Sequence, residues 1–313
     1  MFAELPPAPV LATLAAVFTA LAALSAALAV AVARGRLARD HELVLRTRTW
    51  WVIVGLLALA LLLGRTPTIV LFAVVSFLAL KEYLTLIPTR HADRPALLWA
   101  YLAIPIQYWW VGIGWYGMFV VFVPVYMFLL LPSLMVLHGE TRGFLRAIGT
   151  LHHGLMANVF ALSHAALFLS LPENPRLPAG GAGLLVFLLL VTEANDVFQY
   201  ASGRLFGRRP VAPAVSPRKT REGLLGGLLL TALLAAASAP LLTPYRAIEG
   251  LALGAGLGLA GFLGDLSVSA IKRDLGVKDS GAMLPGHGGL LDRVDSLTFT
   301  APLFFHVTWY LHW

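Results

Sequence analysis

Between Lys278 and Asp295 the chain reads KDSGAMLPGHGGLLDRVD, which gathers three aspartates, two basic residues, a histidine and four glycines into eighteen positions. Asp279, Asp292 and Asp295 are hard oxygen donors suited to Mg²⁺. Gly286, Gly288 and Gly289 let the backbone turn tightly and come close to a ligand. His287 could hydrogen-bond a phosphate or act as an acid, although a lone loop histidine commonly serves only local hydrogen bonding. Lys278 and Arg293 supply positive charge to anionic substrates. Just upstream, GFLGDLSVSAIKRD sets Asp265, Ser269 and Lys272 on one helical face at spacings of four and three, with Arg273 beside them.

Two further segments share this chemistry. In TEANDVFQY, Glu193 and Asp196 stand three apart and Tyr200 follows one turn later. The stretch ASGRLFGRRPVAPAVSPRKTREGLLGG carries Arg204, Arg208, Arg209, Arg218, Lys219 and Arg221, the hydroxyls of Ser216 and Thr220, and prolines at 210, 213 and 217 that stiffen its path. Arginine forks and lysine ammonium groups bind phosphate oxygens. Glu222 and Gly223 then open a helix whose N-terminus favours anions. Together these groups point to metal-assisted chemistry on phosphates. Other chemistries are excluded by pattern. The chain has no cysteine, hence no thiolate site. It has no GxxxxGK[ST] loop and no GxSxG elbow. His287 and Asp292 lack the second nearby histidine of a zinc site, and His152 and His153 are loosely placed.

These polar residues must be positioned by a very apolar chain. Of 313 residues, 58% are hydrophobic and only 12% are charged, about half the charged share of soluble domains. Apolar runs fall at 9–33, 50–64, 66–80, 96–111, 118–137, 155–171, 182–200, 224–242, 247–266 and 297–311. A span needs about 20 residues, so the pattern predicts an all-α polytopic membrane protein of about ten transmembrane helices. It divides into N-terminal helices (1–154) and a C-terminal catalytic region (155–313) carrying loops 201–223 and 271–296. With both termini on the non-cytoplasmic side, 20 of the 23 Lys and Arg fall in cytoplasmic loops, as the positive-inside rule requires. This spread along membrane edges argues against nucleic acid as a partner. A charge inside a membrane helix costs about 2.5–3.5 kcal/mol and normally faces a wet cavity or a partner. For Asp196 and Asp265, next to polar loops on one side, a binding role outweighs a buried carboxylate–lysine pair; for Glu193 the two are balanced.

The residues also carry a resemblance. SAIKRDLGVKDSGAMLPGHGGLLDRVD (Ser269 to Asp295) resembles the signature of the phosphatidate cytidylyltransferases, the CDP-diacylglycerol synthases, and SPRKTREG preceded by GRLFGRR resembles that family's upstream element. The likeness covers roughly residues 190–313; the first half matches only as a set of membrane helices. It implies transfer of CMP from CTP to a membrane lipid phosphate, giving CDP-diacylglycerol and pyrophosphate; the Ala, Leu, Gly and Arg bias and compact loops point to a bacterial inner membrane, and the charge split to a site facing the cytoplasm. It implies Mg²⁺, with a second cation left open, on Asp265 and Asp292, and Asp196 and Asp295 are the further candidate ligands. Lys272, Arg273, Lys278, Asp279, His287 and Arg293 are the other candidate catalytic residues. Ser216, Arg218, Lys219, Thr220, Gly288 and Gly289 are candidate substrate-binding residues, and a homodimer is left open. Two departures stand out: Asn195 before Asp196 and Gln199 before Tyr200 replace the family's usual alanines, and Arg221 replaces a common aromatic. A CTP-dependent polyprenol or lipid kinase is the alternative reaction, and an ion-coupled transporter the alternative class.

Overall fold

In the computed structural model the described residues are 5–90, 93–137, 141–281, 283 and 288–313. Ten long helices follow in order: α1 (Ala8–Ala33), α2 (Glu42–Leu63), α3 (Arg65–Leu86), α4 (Arg94–Ile113), α5 (Tyr116–Val136), α6 (Phe144–Ser170), α7 (Gly180–Phe206), α8 (Arg221–Leu242), α9 (Ala247–Asp274) and α10 (Leu297–His312). Among the described residues, nine of them, α1 to α9, are long and apolar enough to cross a membrane. The tenth apolar run makes α10, which at 16 residues is about 24 Å long and shorter than a typical hydrocarbon core. α10 packs against α6, α7 and α9, and Phe304 and Phe305 on it are fully buried against Phe168 and Phe187.

The ends of several elements differ from the apolar runs for one reason: a helix continues into polar residues once its backbone bonds are made. α2 to α4, short as apolar runs, are 20–22 residues long. α3 therefore carries Lys81 and Glu82, and α9 carries Lys272 and Arg273, all assigned to loops by hydropathy. The architecture is mostly helical, as expected, with one short pair of strands in the loop 201–223. Between α7 and α8 a small antiparallel hairpin forms from β1 (Pro210–Ala212) and β2 (Ser216–Thr220), with Pro210 opposite Thr220 and Ala212 opposite Ser216. Pro210 starts its strand, where a missing N–H is tolerated.

α8 packs along both α7 and α9. The approach is close because α8 meets α7 at Gly223, Gly226 and Gly227, and α9 presents Gly250, Gly254 and Gly258 to α8, small residues letting membrane helices meet backbone to backbone. A Cβ on Gly254 would lie 2.5 Å from Ala235 Cβ, 2.8 Å from Ala232 Cα and 2.9 Å from the Thr231 carbonyl oxygen. Backbone cannot swing aside as a side chain can. Gly254→Leu should therefore destabilise the protein by about 1–3 kcal/mol or more, read as a lowered thermal midpoint in detergent. Gly256→Ala, where the added Cβ meets nothing within 4 Å, should leave the midpoint unchanged or slightly raised.

Candidate active site

The last two turns of α9 form one wall of the site. Ser269 Oγ donates to Asp265 Oδ1 at 3.1 Å, and the other Asp265 oxygen forms an ion pair with Lys219 Nζ. Lys219 reaches it from β2, where Lys219 is half-buried while its neighbour Arg218 is exposed; its ammonium also lies 4.9 Å over the Phe262 ring. The hairpin is held in place from α9, since Arg273 Nε donates to the Val215 carbonyl at 3.2 Å. Arg273 thus fastens the hairpin. Thr220 likewise caps α8, its hydroxyl accepting from Gly223 N at 3.1 Å. Glu222 accepts from the backbone N–H groups of Arg208 and Arg209 at 2.9 and 3.1 Å, closing the segment that leads into the hairpin.

A second wall comes from the loop after α9 and the helical turn Leu291–Val294. Asp292 is buried and fully engaged. One oxygen pairs with Lys272 Nζ, and the other accepts from Ser280 N at 3.0 Å and Gly289 N at 3.2 Å. Burial pushes this carboxyl up, but the hydrogen bonds from Lys272 and Ser280 outweigh it and hold the carboxyl below its usual range. Gly288 adopts φ +80°, a left-handed conformation that suits glycine. Lys278 and Asp279 are exposed, with Asp279 Cβ 3.6 Å from where a Cβ on Gly288 would stand. His287 lies outside the described residues.

The third wall is α7 with the start of α10. Ser296 Oγ lies 3.2–3.3 Å from both oxygens of Asp196 and 3.2 Å from the Gly261 carbonyl. Asp295 Oδ1 accepts from Ser296 N at 2.7 Å. Burial raises the proton affinity of Asp295 well above the usual carboxylate range, the nearby charges of Asp265 and Asp196 raise it further, and Arg293 offsets part of this. Arg293 acts electrostatically on Glu193, Asp196 and Asp295 alike, and its buried Nε lacks a hydrogen-bond partner among the described residues.

The structure thus brings Asp196, Asp265, Asp292 and Asp295 to one end of α7, α9 and α10, with Lys219, Lys272 and Arg293 between them. Among the described residues, no three acidic or histidine side chains already stand at metal-ligand spacing; Asp265 and Asp292 each hold a lysine instead. The donors nevertheless fit a hard cation in type, and the elevated proton affinity of Asp295 marks a spot where positive charge is wanted. Asn195 has a structural use. It donates to the Gly258 carbonyl at 3.2 Å and accepts from Thr231 Oγ1 at 3.2 Å, tying α7, α8 and α9 together beside Asp196. One residue escaped the sequence reading: Glu82 of α3, buried, accepts from Ser280 Oγ and from Leu290 N (2.8 Å). The only signal was a charged residue at the end of an apolar run, where interfacial charges are ordinary.

The crowding of Asp295 has a sign that can be tested. Its proton is bound more tightly in the folded protein than in the unfolded chain, so stability falls as pH rises from the normal carboxylate range through the elevated value. Asp295→Asn removes that loss and keeps an oxygen for Ser296 N. In cation-free buffer at neutral pH the variant should melt above the parent protein, with the gap closing below about pH 4; a lower midpoint at neutral pH would contradict the crowding.

Comparison with known proteins places this geometry. The model of the cytidylyltransferase family matches residues 44–311. YnbB of Escherichia coli K12, described only as uncharacterized, is 48% identical over 268 residues, covering 86% of this chain and 88% of that protein. Proteins named phosphatidate cytidylyltransferase are also similar: that of Mycobacterium bovis is 38% identical over 50% of this chain, that of Haemophilus influenzae 44% over 41%, and that of Synechocystis 47% over 40%. The chain spans about half the length of these three enzymes or slightly less (51%, 46% and 43%). With nine helices able to span a bilayer among the described residues and a family model covering most of its length, the chain is an integral membrane nucleotidyltransferase and belongs to the cytidylyltransferase family.

Proposed function

We propose that the protein is a CTP:phosphatidate cytidylyltransferase, which transfers CMP from CTP to a membrane lipid phosphate and releases pyrophosphate. The observation that carries this reading is the meeting of Asp196, Asp265, Asp292 and Asp295 with Lys219, Lys272 and Arg293 at one end of α7, α9 and α10. Similarity to phosphatidate cytidylyltransferases over about half their length supports the same acceptor. The basic loops at this end of the bundle support a site at the cytoplasmic leaflet of a bacterial inner membrane.

The chemistry needs little proton transfer. A phosphate monoester loses its second proton at a pKa of about 6, so the lipid phosphate arrives as a nucleophile. Its oxygen bonds to the α-phosphorus of CTP while the bond from that phosphorus to the bridging oxygen breaks, and pyrophosphate leaves with the electron pair. The difficulty is bringing two anions together, a task of positioning and electrostatics. Lys219, Lys272 and Arg293 neutralise phosphate oxygens within the site, and exposed Arg218 and Lys278 reach the outer phosphates. Ser216 and Ser269 offer hydroxyls at the hairpin and helix walls. Asp265, Asp292, Asp196 and Asp295 would hold Mg²⁺, which would supply positive charge to neutralise the phosphates. Lys219 and Lys272, which now pair with Asp265 and Asp292, are the cations closest to where substrate phosphates would bind.

Membranes given radiolabelled CTP, Mg²⁺ and a panel of lipid phosphates should place the cytidine label in lipid and release pyrophosphate. Release of CDP with formation of a phosphorylated lipid would overturn the reading in favour of a kinase. Asp265→Asn and Asp292→Asn should each lower turnover about 100-fold or more while the protein remains folded and inserted; near-normal turnover in either would remove that residue from the site.

A further inference from the structure

Glu82 enters the site from the half of the chain that carries no signature. It lies four residues before the end of α3 and is only 6% exposed. Its base is rigid: the neighbouring Tyr83 donates to the Thr150 carbonyl at 2.9 Å, and the Tyr83 ring lies where a Cβ on Gly154 of α6 would otherwise stand. From this fixed point its two oxygens grip the loop after α9 at two places. One accepts from Ser280 Oγ, and the other accepts from Leu290 N at 2.8 Å.

Asp292 grips the same two places from inside the loop, through Ser280 N and Gly289 N. Ser280 therefore gives its hydroxyl to one carboxylate and its N–H to the other. On the far side, the successive N–H groups of Gly289 and Leu290 are divided in the same way. Gly289 is fitted to this arrangement, because an added Cβ would overlap Glu82 Oε1 and Ser280 Oγ. The loop end thus sits between two carboxylates, and Asp292 in turn holds Lys272. Freed from Glu82, Ser280 and Leu290 would shift, and Asp292 and Lys272 with them. Misplacement by about 1 Å is enough to cost on the order of 100-fold in rate.

We propose that Glu82 is a positioning residue for phosphoryl-group chemistry at this site: it sets the loop that carries Asp292, and through Asp292 it sets Lys272. The role of the site rests on the cytidylyl-transfer reading, whereas the clamp itself is a structural statement with its own test. The full-length protein in detergent or nanodiscs would be compared with Glu82→Ala, Glu82→Gln and Ser280→Ala by hydrogen exchange of the peptide spanning 278–295 and by cytidylyl transfer from CTP to a lipid phosphate. Glu82→Ala should release protection in that peptide while the α3 and α9 peptides stay protected. It should lower kcat by about 10- to 100-fold with a smaller change in KM for CTP. Glu82→Gln, which keeps one acceptor oxygen, should recover much of both. Combining Glu82→Ala with Ser280→Ala should cost less than the product of the single losses.

Unchanged exchange in 278–295 with turnover within two-fold of the parent would overturn the proposal. So would loss of protection throughout α3 and α9 in both Glu82→Ala and Glu82→Gln, which would make Glu82 a general packing residue. If the parent protein transfers no cytidylyl group, the functional reading fails, and the exchange data alone still decide whether Glu82 holds the loop.

Discussion

Carboxylates kept at the edge of a bilayer need positive charge within a few ångströms, and this requirement organises the C-terminal half of the protein. Asp265 takes Lys219, Asp292 takes Lys272, and Asp196 and Asp295 share the field of Arg293. Each partner comes from a different element from its carboxylate, except that Arg293 sits beside Asp292 and Asp295 on one turn. The pairs therefore cross-link hairpin to helix and helix to loop. Breaking such a pair by removing one member typically costs about 3–5 kcal/mol, because the other is left buried and charged. The residues proposed to act on substrate thus also hold the parts of the site together.

The surrounding helices serve that arrangement. The glycine face of α9 brings α8 and α7 close enough for Asn195 to bond both neighbours beside Asp196. The hairpin carries Lys219 to Asp265, and Arg273 fastens it to α9. Arg273 and Thr220, candidate phosphate binders by sequence, also make backbone hydrogen bonds here, Arg273 to the Val215 and Val277 carbonyls and Thr220 from Gly223 N. A polar residue in a basic loop has two uses for its donors, and spacing alone does not separate them.

Hydropathy located every long helix, because burial of apolar surface and the bilayer thickness leave few alternatives. The spacing of Asp265, Ser269 and Lys272 likewise fixed one wall, since a helix turns by a known angle per residue. Less was legible where contacts join distant segments. Glu82 lies 198 positions from Ser280 in sequence, and nothing in the local pattern of α3 distinguishes it from an interfacial glutamate. The hairpin was hidden by its prolines and arginines, and α10 was counted as a span although its backbone stops short of the needed length.

The Lys272–Asp292 pair also bears on how the chain is made. Lys272 leaves the ribosome twenty residues ahead of Asp292, and Asp295 follows later still. Until that stretch folds back, the Lys272 ammonium lacks its counterion, and the start of α10 does not cover Asp196 and Gly261. Closing this seam therefore depends on the stretch after α9 folding back against it.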